Sequence, residues 1–504
     1  MPRRTEGLMH FDIQLDRNSA VSLDRQIAQG IRDAIVSGVL RSGDRLPATR
    51  QVMQFLGVAR ATVDLAYKAL IDEGYLNATP GRGTFVALDL PVNTPFQDMV
   101  RQPTTSTYKK KTIATNAAIC EHALSHLLAQ KNIPLAIVST SADASPGRDF
   151  SAILEKLTKK NSLDLVYNHP AGFEPLRVAI SKVAARLRGV RCTPEQVIVT
   201  SGSQLGLTMT LMALFNEGDE VWFENPGYPL LRGVAKLRGV KPVYVPVDNE
   251  GLEIDAGKKL CPNARGVYLT PSHQCPMGMV LSMQRRLQLL RWASETGAWI
   301  IEDDYDSELR YDGNLPYPSL QGMDTGNNVI YVGTFSKMLF PGLRIGYLVV
   351  PPDLVKTFQG LRLLIDRQSN EISQNAVAQY IEQGLYEAHV RKMRQTFEAR
   401  RNYLLEVCNR DFGDWGEFLS GEQGMCVTFI FKNQAIDDEA VWQACLDEGV
   451  ETRSVSSFYA PESDAPRLKG LVLGFGFFTN EQILAAVSRI GFILRSRFAA
   501  FGPV

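Results

Sequence analysis

The sequence predicts two bodies on one chain: a small α+β winged helix-turn-helix domain, then a large α/β domain that ends in an α+β subdomain. Three observations predict this. Residues 17–87 hold three helix-length amphipathic stretches followed by two short apolar runs. Residues 88–112 carry three prolines, many Thr and Ser and a lysine run, with no hydrophobic period, so they read as an exposed linker. Residues 113–500 alternate short apolar runs with amphipathic helical stretches, the pattern of a largely parallel sheet covered by helices.

The bulk numbers agree with a multidomain globular protein. A chain of 504 residues exceeds one ordinary domain, and 45% hydrophobic with 21% charged residues supplies an ample core. The formal net charge is zero, so the whole molecule is not a polycation. No apolar run approaches the length of a membrane helix, and Met1 to Asp16 is too polar for a signal peptide. The seven cysteines are scattered without a C-x-x-C pair, and the six histidines are not at ligand spacing. These features predict a reducing cytoplasm, no membrane, no disulfide framework and no metal.

In the N-terminal body, Leu23, Ile27, Ile31, Ile35 and Val36 form one helical face, and Gly38 suits its end. A second helix is predicted from about Ala48 to Phe55, a tight turn at Gly57, and a third helix from about Arg60 to Glu73. Short helix, tight turn and longer helix make the helix-turn-helix plan. Two short apolar runs around Pro80-Gly81-Arg82-Gly83 then form a wing. Arg45, Arg50, Arg60, Lys68 and Arg82 fall where a phosphate backbone would pass.

The stretches "GDRLPATRQV", "LGVARATVDLAYKALIDEGYL" and "GRGTFV" resemble the winged helix-turn-helix of the GntR family. The resemblance implies that Arg50, Arg60 and Thr62 contact double-stranded operator DNA and that the wing tip, Gly81 to Gly83, enters the minor groove. The family usually has Ser or Thr where Ala59 stands, so one polar contact is missing.

In the large body, strand-like runs are "QVIVTSG", "DEVWFENPGY", "ARGVYLTPS", "GAWIIEDDY", "NVIYVGTFSK" and "LRIGYLVV"; the last hundred residues add "GMCVTFIF" and "GLVLGFG". Lys337 follows the run Val329 to Val332, where a charged, unpaired lysine would be expensive. It therefore has a structural partner or a chemical job, and a desolvated lysine is a usable amine. Thr334, Ser336 and Arg344 beside it suit a phosphate. Gly202, Ser203 and Gln204 lie between a strand and a helix, where backbone amides form an anion site. Tyr228 sits on a turn after a strand, and Asp303 and Asp304 end another strand before Tyr305. A phosphate cradle, a stacking aromatic, a carboxylate, a phenol and a lysine are what pyridoxal phosphate needs. Taken singly, Tyr228 reads as a packed aromatic, the two aspartates as a solvated strand end and Arg344 as an ion-pair partner. The combination with Lys337 favours the site.

The order and spacing of "TPSHQ-P-G", "EDDYDSE-R", "GTFSK" and "P-LR-GY" resemble the fold-type I aminotransferases. The whole chain is similar to the MocR-type regulators, in which a GntR-type reader is joined by a linker to an aminotransferase-like domain. The resemblance implies that Lys337 joins the cofactor aldehyde, Asp303 pairs with the pyridine nitrogen, Tyr305 reaches the 3-hydroxyl and Tyr228 stacks on the ring. It also implies that Ser203, Gln204, Thr334, Ser336 and Arg344 hold the phosphate. Tyr167, in "LVYNHPAGFEPLR", is either core packing or the tyrosine that reaches the neighbouring subunit's phosphate, which implies a head-to-tail homodimer.

Two departures bear on function. Cys275 replaces the Asn that aminotransferases carry in "NP-G", with His273 and Gln274 as substitute polar contacts. Val472, in "LVLGF", replaces the arginine that grips the substrate carboxylate, with Arg453, Arg467 or Lys469 as alternatives. The expected function is a DNA-binding, pyridoxal phosphate-binding transcriptional regulator that senses a small amino compound or the cofactor itself, with vestigial transaminase activity. The alternative is an active aminotransferase with an accessory DNA-binding domain.

Overall fold

A computed structural model describes residues 13–90, 112–114, 116–124, 133–137, 146–159, 167–311, 313, 317–419, 421–476 and 478–502. The chain divides into two compact units, Met1–Thr112 and Ile113–Val504. Most of the segment read as a linker, 91–111, lies outside the described residues. Among the described residues, no helix is long and apolar enough to cross a membrane.

The first unit holds three helices, α1 (Leu23–Val36), α2 (Thr49–Leu56) and α3 (Arg60–Asp72). Helix α1 buries Ile27, Ile31 and Ile35, the spacing of one helical face. Gly57 ends α2 in the left-handed conformation, φ 64°, which a residue without Cβ adopts at no steric cost. That turn redirects the chain into α3, whose Val63, Ala66, Tyr67 and Leu70 pack with Ile27, Ile31, Leu46 and Val52 in one core. Ala59 caps α3 with no side-chain hydrogen bond, as alanine has no acceptor. Strands β1 (Leu76–Thr79) and β2 (Gly83–Val86) pair antiparallel, Leu76 opposite Val86 and Thr79 opposite Gly83. They are the wing, with Arg82 at its tip.

The second unit is built on an eight-stranded sheet. Its strands are β3 (Val197–Thr200), β4 (Glu220–Asn225), β5 (Lys241–Asp248), β6 (Gly251–Leu252), β7 (Gly266–Leu269), β8 (Trp299–Asp304), β9 (Val329–Thr334) and β10 (Gly346–Val349). Their order is β3-β10-β9-β8-β7-β4-β5-β6. Strands β9, β8, β7, β4 and β5 run parallel, whereas β10 is antiparallel to both its neighbours. The strand-like runs of the sequence correspond to β3, β4, β7, β8, β9 and β10. Strand β5 carries Pro242 and Pro246 and pairs on its outer side only with the two-residue β6. A strand near a sheet edge tolerates prolines that a central strand does not. Strands β3, β7 and β9 are buried throughout, because helices cover both faces of such a sheet.

The C-terminal subdomain is a four-stranded antiparallel sheet of β11 (Gly416–Leu419), β12 (Cys426–Phe431), β13 (Arg453–Ser454) and β14 (Gly470–Gly474), in the order β11-β12-β14-β13. Val427, Phe429, Phe431, Leu471 and Leu473 join the main core with the helices Leu385–Phe412 and Asn480–Arg497. Alternation sends Ile430 and Val472 to the other face, toward Met277, Val455 and Phe458. This second face closes over the ends of β8 and β9.

Candidate cofactor site

The ends of β7, β8 and β9, the N-terminus of the helix Ser203–Leu214 and the inner face of the small sheet enclose a cavity of about 280 Å³. Ten of the candidate site residues singled out in the sequence line it, namely Ser203, Gln204, Tyr228, Asp303, Tyr305, Thr334, Ser336, Lys337, Arg344 and Arg453, together with the two departures Cys275 and Val472. They come from elements more than two hundred residues apart in the chain.

One end of the cavity is suited to an anion. Ser203 and Gln204 open the helix, and Gly202 precedes them at φ 89°. A Cβ on Gly202 would lie 2.7 Å from Arg344 Nη2, so glycine is what admits the guanidinium. Arg344 itself adopts φ 52° and donates from Nη2 to the Ser201 carbonyl at 3.0 Å. Helix amides, an arginine and the hydroxyls of Ser203, Thr334 and Ser336 together make a site for a doubly charged phosphate.

The other end holds an acid. Period-two alternation at the end of β8 turns Asp303 and Asp304 to opposite faces. Asp304 is structural: its Oδ2 accepts from Arg188 Nε at 2.5 Å and from Tyr331 at 2.8 Å. Asp303 faces the cavity. Its Oδ2 accepts from the Tyr268 hydroxyl at 2.8 Å, while its Oδ1 is buried and has no hydrogen-bond partner. Burial pushes the Asp303 carboxyl up to about 7, against the Tyr268 hydrogen bond, which lowers it, with Asp304 and Asp306 adding and Lys337 opposing. Tyr228 lies between the two ends. Its hydroxyl donates to Gln204 Oε1 at 3.0 Å, and burial, with Asp303 and Cys275 adding, raises its phenol.

Four residues named in the sequence take other places. His273 does not line the cavity: it is buried with Nδ1 2.9 Å from Asp306 Oδ1, and the Tyr305 hydroxyl donates to its carbonyl at 2.9 Å. The Gln274 amide donates to the Pro226 and Cys275 carbonyls, each at 2.8 Å, and so holds two loops together. Gly202 acts through the absence of a side chain. Tyr167 is 73% exposed, with the Arg367 guanidinium 3.9 Å from its ring centroid, rather than packed in a core.

Of the three cations weighed against Val472, Arg453 lines the cavity. It lies directly opposite Val472 in the β13–β14 register, so both side chains start from the same face of the small sheet. Arg467 donates to the Ala460 and Pro461 carbonyls, and Lys469 lies 3.7 Å from Asp438. Sequence reading missed Tyr268, Thr270 and Cys426, which also line the cavity. A tyrosine in a buried strand needs a hydroxyl partner, and that was the available signal for Tyr268.

In the first unit, Arg45, Arg50, Arg60, Lys68 and Arg82 are all exposed, and Thr62 is half-buried. The Arg45 guanidinium packs over Gly83 of the wing. Arg60 lies 3.5 Å from Asp64, one turn along α3.

The bacterial regulatory proteins, gntR family, match residues 23–86, and aminotransferase class I and II matches residues 140–468. The chain is 33% identical to the probable rhizopine catabolism regulatory protein MocR of Rhizobium meliloti, over 96% of each chain. It is 30% identical to the HTH-type pyridoxine biosynthesis transcriptional regulator PdxR of Corynebacterium glutamicum, over 79% of this chain and 82% of that one. Among solved structures it is similar to LysN, the α-aminoadipate aminotransferase of Thermus thermophilus complexed with N-(5'-phosphopyridoxyl)-L-leucine. The TM-score is 0.69 and the identity 26%, over 77% of this chain and 98% of that one.

Proposed function

Because this chain belongs to the MocR-type regulators, a gntR-family helix-turn-helix joined to an aminotransferase class I and II domain, we propose that it is a transcriptional regulator. It binds operator DNA through its first unit and pyridoxal phosphate through its second. The observation that carries the cofactor reading is the buried, unpartnered Asp303 Oδ1 in one cavity with Lys337 and the Arg344 cradle. The residues fit the group: Ser203, Gln204, Thr334, Ser336 and Arg344 would hold the phosphate, and Tyr228 would face the ring. When bound, pyridoxal phosphate supplies an electrophilic aldehyde and an electron-accepting ring. Lys337 would offer its amine to that aldehyde. Asp303 would keep a proton on the pyridine nitrogen, with Tyr268 holding the carboxylate in place through its hydroxyl. Tyr305, whose hydroxyl proton goes to the His273 carbonyl, would accept a hydrogen bond at the ring edge.

The effector is a small amino compound or the cofactor itself. The relatives are named as regulators of rhizopine catabolism and of pyridoxine biosynthesis. Arg453, opposite Val472 in the cavity lining, is the candidate for an effector anion, which would have to draw its guanidinium from Glu451 at 3.8 Å and from the Trp442 ring. A head-to-tail homodimer suits Tyr167 and Leu364, which are 73% and 84% exposed. The seven free thiols suit a reducing cytoplasm.

The test is spectroscopic. Wild-type protein reconstituted with pyridoxal phosphate is expected to show a visible band and a borohydride-trapped adduct on Lys337, both absent in Lys337→Ala. Wild-type protein lacking band and adduct in excess cofactor refutes the cofactor site.

A further inference from the structure

Helix α3 buries Val63, Ala66, Tyr67 and Leu70 and exposes Arg60, Ala61, Asp64, Leu65, Lys68 and, at its C-terminal end, Asp72. At about 100° per residue, the exposed six span an arc of roughly 140° opposite the buried seam, and the first five lie in the N-terminal two and a half turns. The arc has two chemically distinct edges. Along one, Arg60 and Asp64 form an ion pair. Along the other, Ala61 and Leu65, four residues apart, form an apolar strip, with Lys68 between the edges. Leu65 is 57% exposed. Among the described residues of this unit, the other exposed large apolar side chains, Val21, Val39, Phe55 and Leu88, lie outside α3.

An isolated exposed leucine is ordinary, so position decides its meaning. The second helix of a helix-turn-helix lies in the major groove with its N-terminal residues toward the base edges. Donors and acceptors fill that groove except at one apolar feature, the C5-methyl of thymine. Arg45, Arg50 and Arg82, all exposed, give the surroundings the charge that draws in a duplex.

We propose that Leu65, with Ala61, reads thymine methyl groups in the major groove, so that the operator contains a thymine whose methyl is required for tight binding. This rests on the DNA-binding reading above and adds the chemical feature recognised. A charged ion-pair edge beside an apolar edge also fixes direction: the thymine contact falls on the side of the groove away from Arg60.

The test uses the full chain and a duplex that it selects from a random library at fixed salt. Each thymine is replaced in turn by uracil, which lacks only the methyl group. Burying one methyl predicts about a fourfold loss at one or two positions, or ~0.8 kcal/mol. Leu65→Ala and Leu65→Gln are expected to bind more weakly and to lose the thymine–uracil difference at those positions, with an unchanged salt slope. Uracil replacements that all stay within about 1.5-fold overturn the proposal, as does a Leu65 variant that keeps the discrimination. Failure to select any duplex overturns the DNA-binding reading, and this proposal with it.

Discussion

Replacing Asp303 by asparagine should stabilise the cofactor-free protein while abolishing tight cofactor binding. Asp303 is buried with one oxygen unpartnered, and its carboxyl is pushed from an ordinary 3.8 up to about 7. At 1.36 kcal/mol per pH unit, the ionised form costs the cofactor-free fold on the order of 4 kcal/mol, an upper bound before relaxation. The sign follows from proton counting. Between about pH 4 and 7 the folded chain binds a proton at Asp303 that the unfolded chain has released. Stability from this group therefore falls as pH rises through that window and is level above it. An asparagine side chain at this position cannot ionise, yet its amide oxygen can still accept from Tyr268. Urea unfolding of cofactor-free wild type and Asp303→Asn should thus agree near pH 4, diverge by a few kcal/mol by pH 8, and hold that difference above pH 8. With pyridoxal phosphate the order should reverse, because the variant lacks a carboxylate to pair with the ring nitrogen, a loss of ~2–5 kcal/mol. A stability difference that does not change with pH between 4 and 8, or a variant that binds cofactor like wild type, refutes the assignment of Asp303.

Arg50→Ala and Arg60→Ala should each weaken operator binding by ~1–3 kcal/mol. A lost phosphate contact should also shallow the salt slope by about one; operator binding like wild type at matched salt would put the reading helix elsewhere. Ala59→Ser should supply the missing side-chain cap of α3, worth ~1 kcal/mol, and be read as about fivefold greater amide protection in its first turn. With Val472 in the place of the carboxylate-binding arginine, turnover of alanine, glutamate, aspartate and 4-aminobutyrate should stay well below about 1 s⁻¹. Faster turnover would favour a working aminotransferase, and its loss in Arg453→Ala would identify the replacement arginine.

The sequence by itself determined what depends on neighbours along the chain. The period of Ile27, Ile31 and Ile35 dictated α1, Gly57 separated α2 from α3, and apolar runs marked β7, β9 and the first half of β8. It also supplied the family pattern that drew Lys337, Asp303 and Arg344 toward one chemistry. Only the tertiary structure decided partners and sides. Register is long-range, so the facing of Arg453 and Val472 on adjacent strands was not legible, nor was the reversed direction of β10. Family resemblance alone singles out Asp303 from its neighbour; the fold supplies the reason, because the pleat gives Asp304 to Arg188 and leaves Asp303 to the cavity. His273 and Gln274 read as polar contacts for a ligand, but Asp306 and two backbone carbonyls, brought close by the fold, satisfy them instead. A buried polar group takes whichever partner packing supplies, and packing joins residues that sequence spacing does not relate.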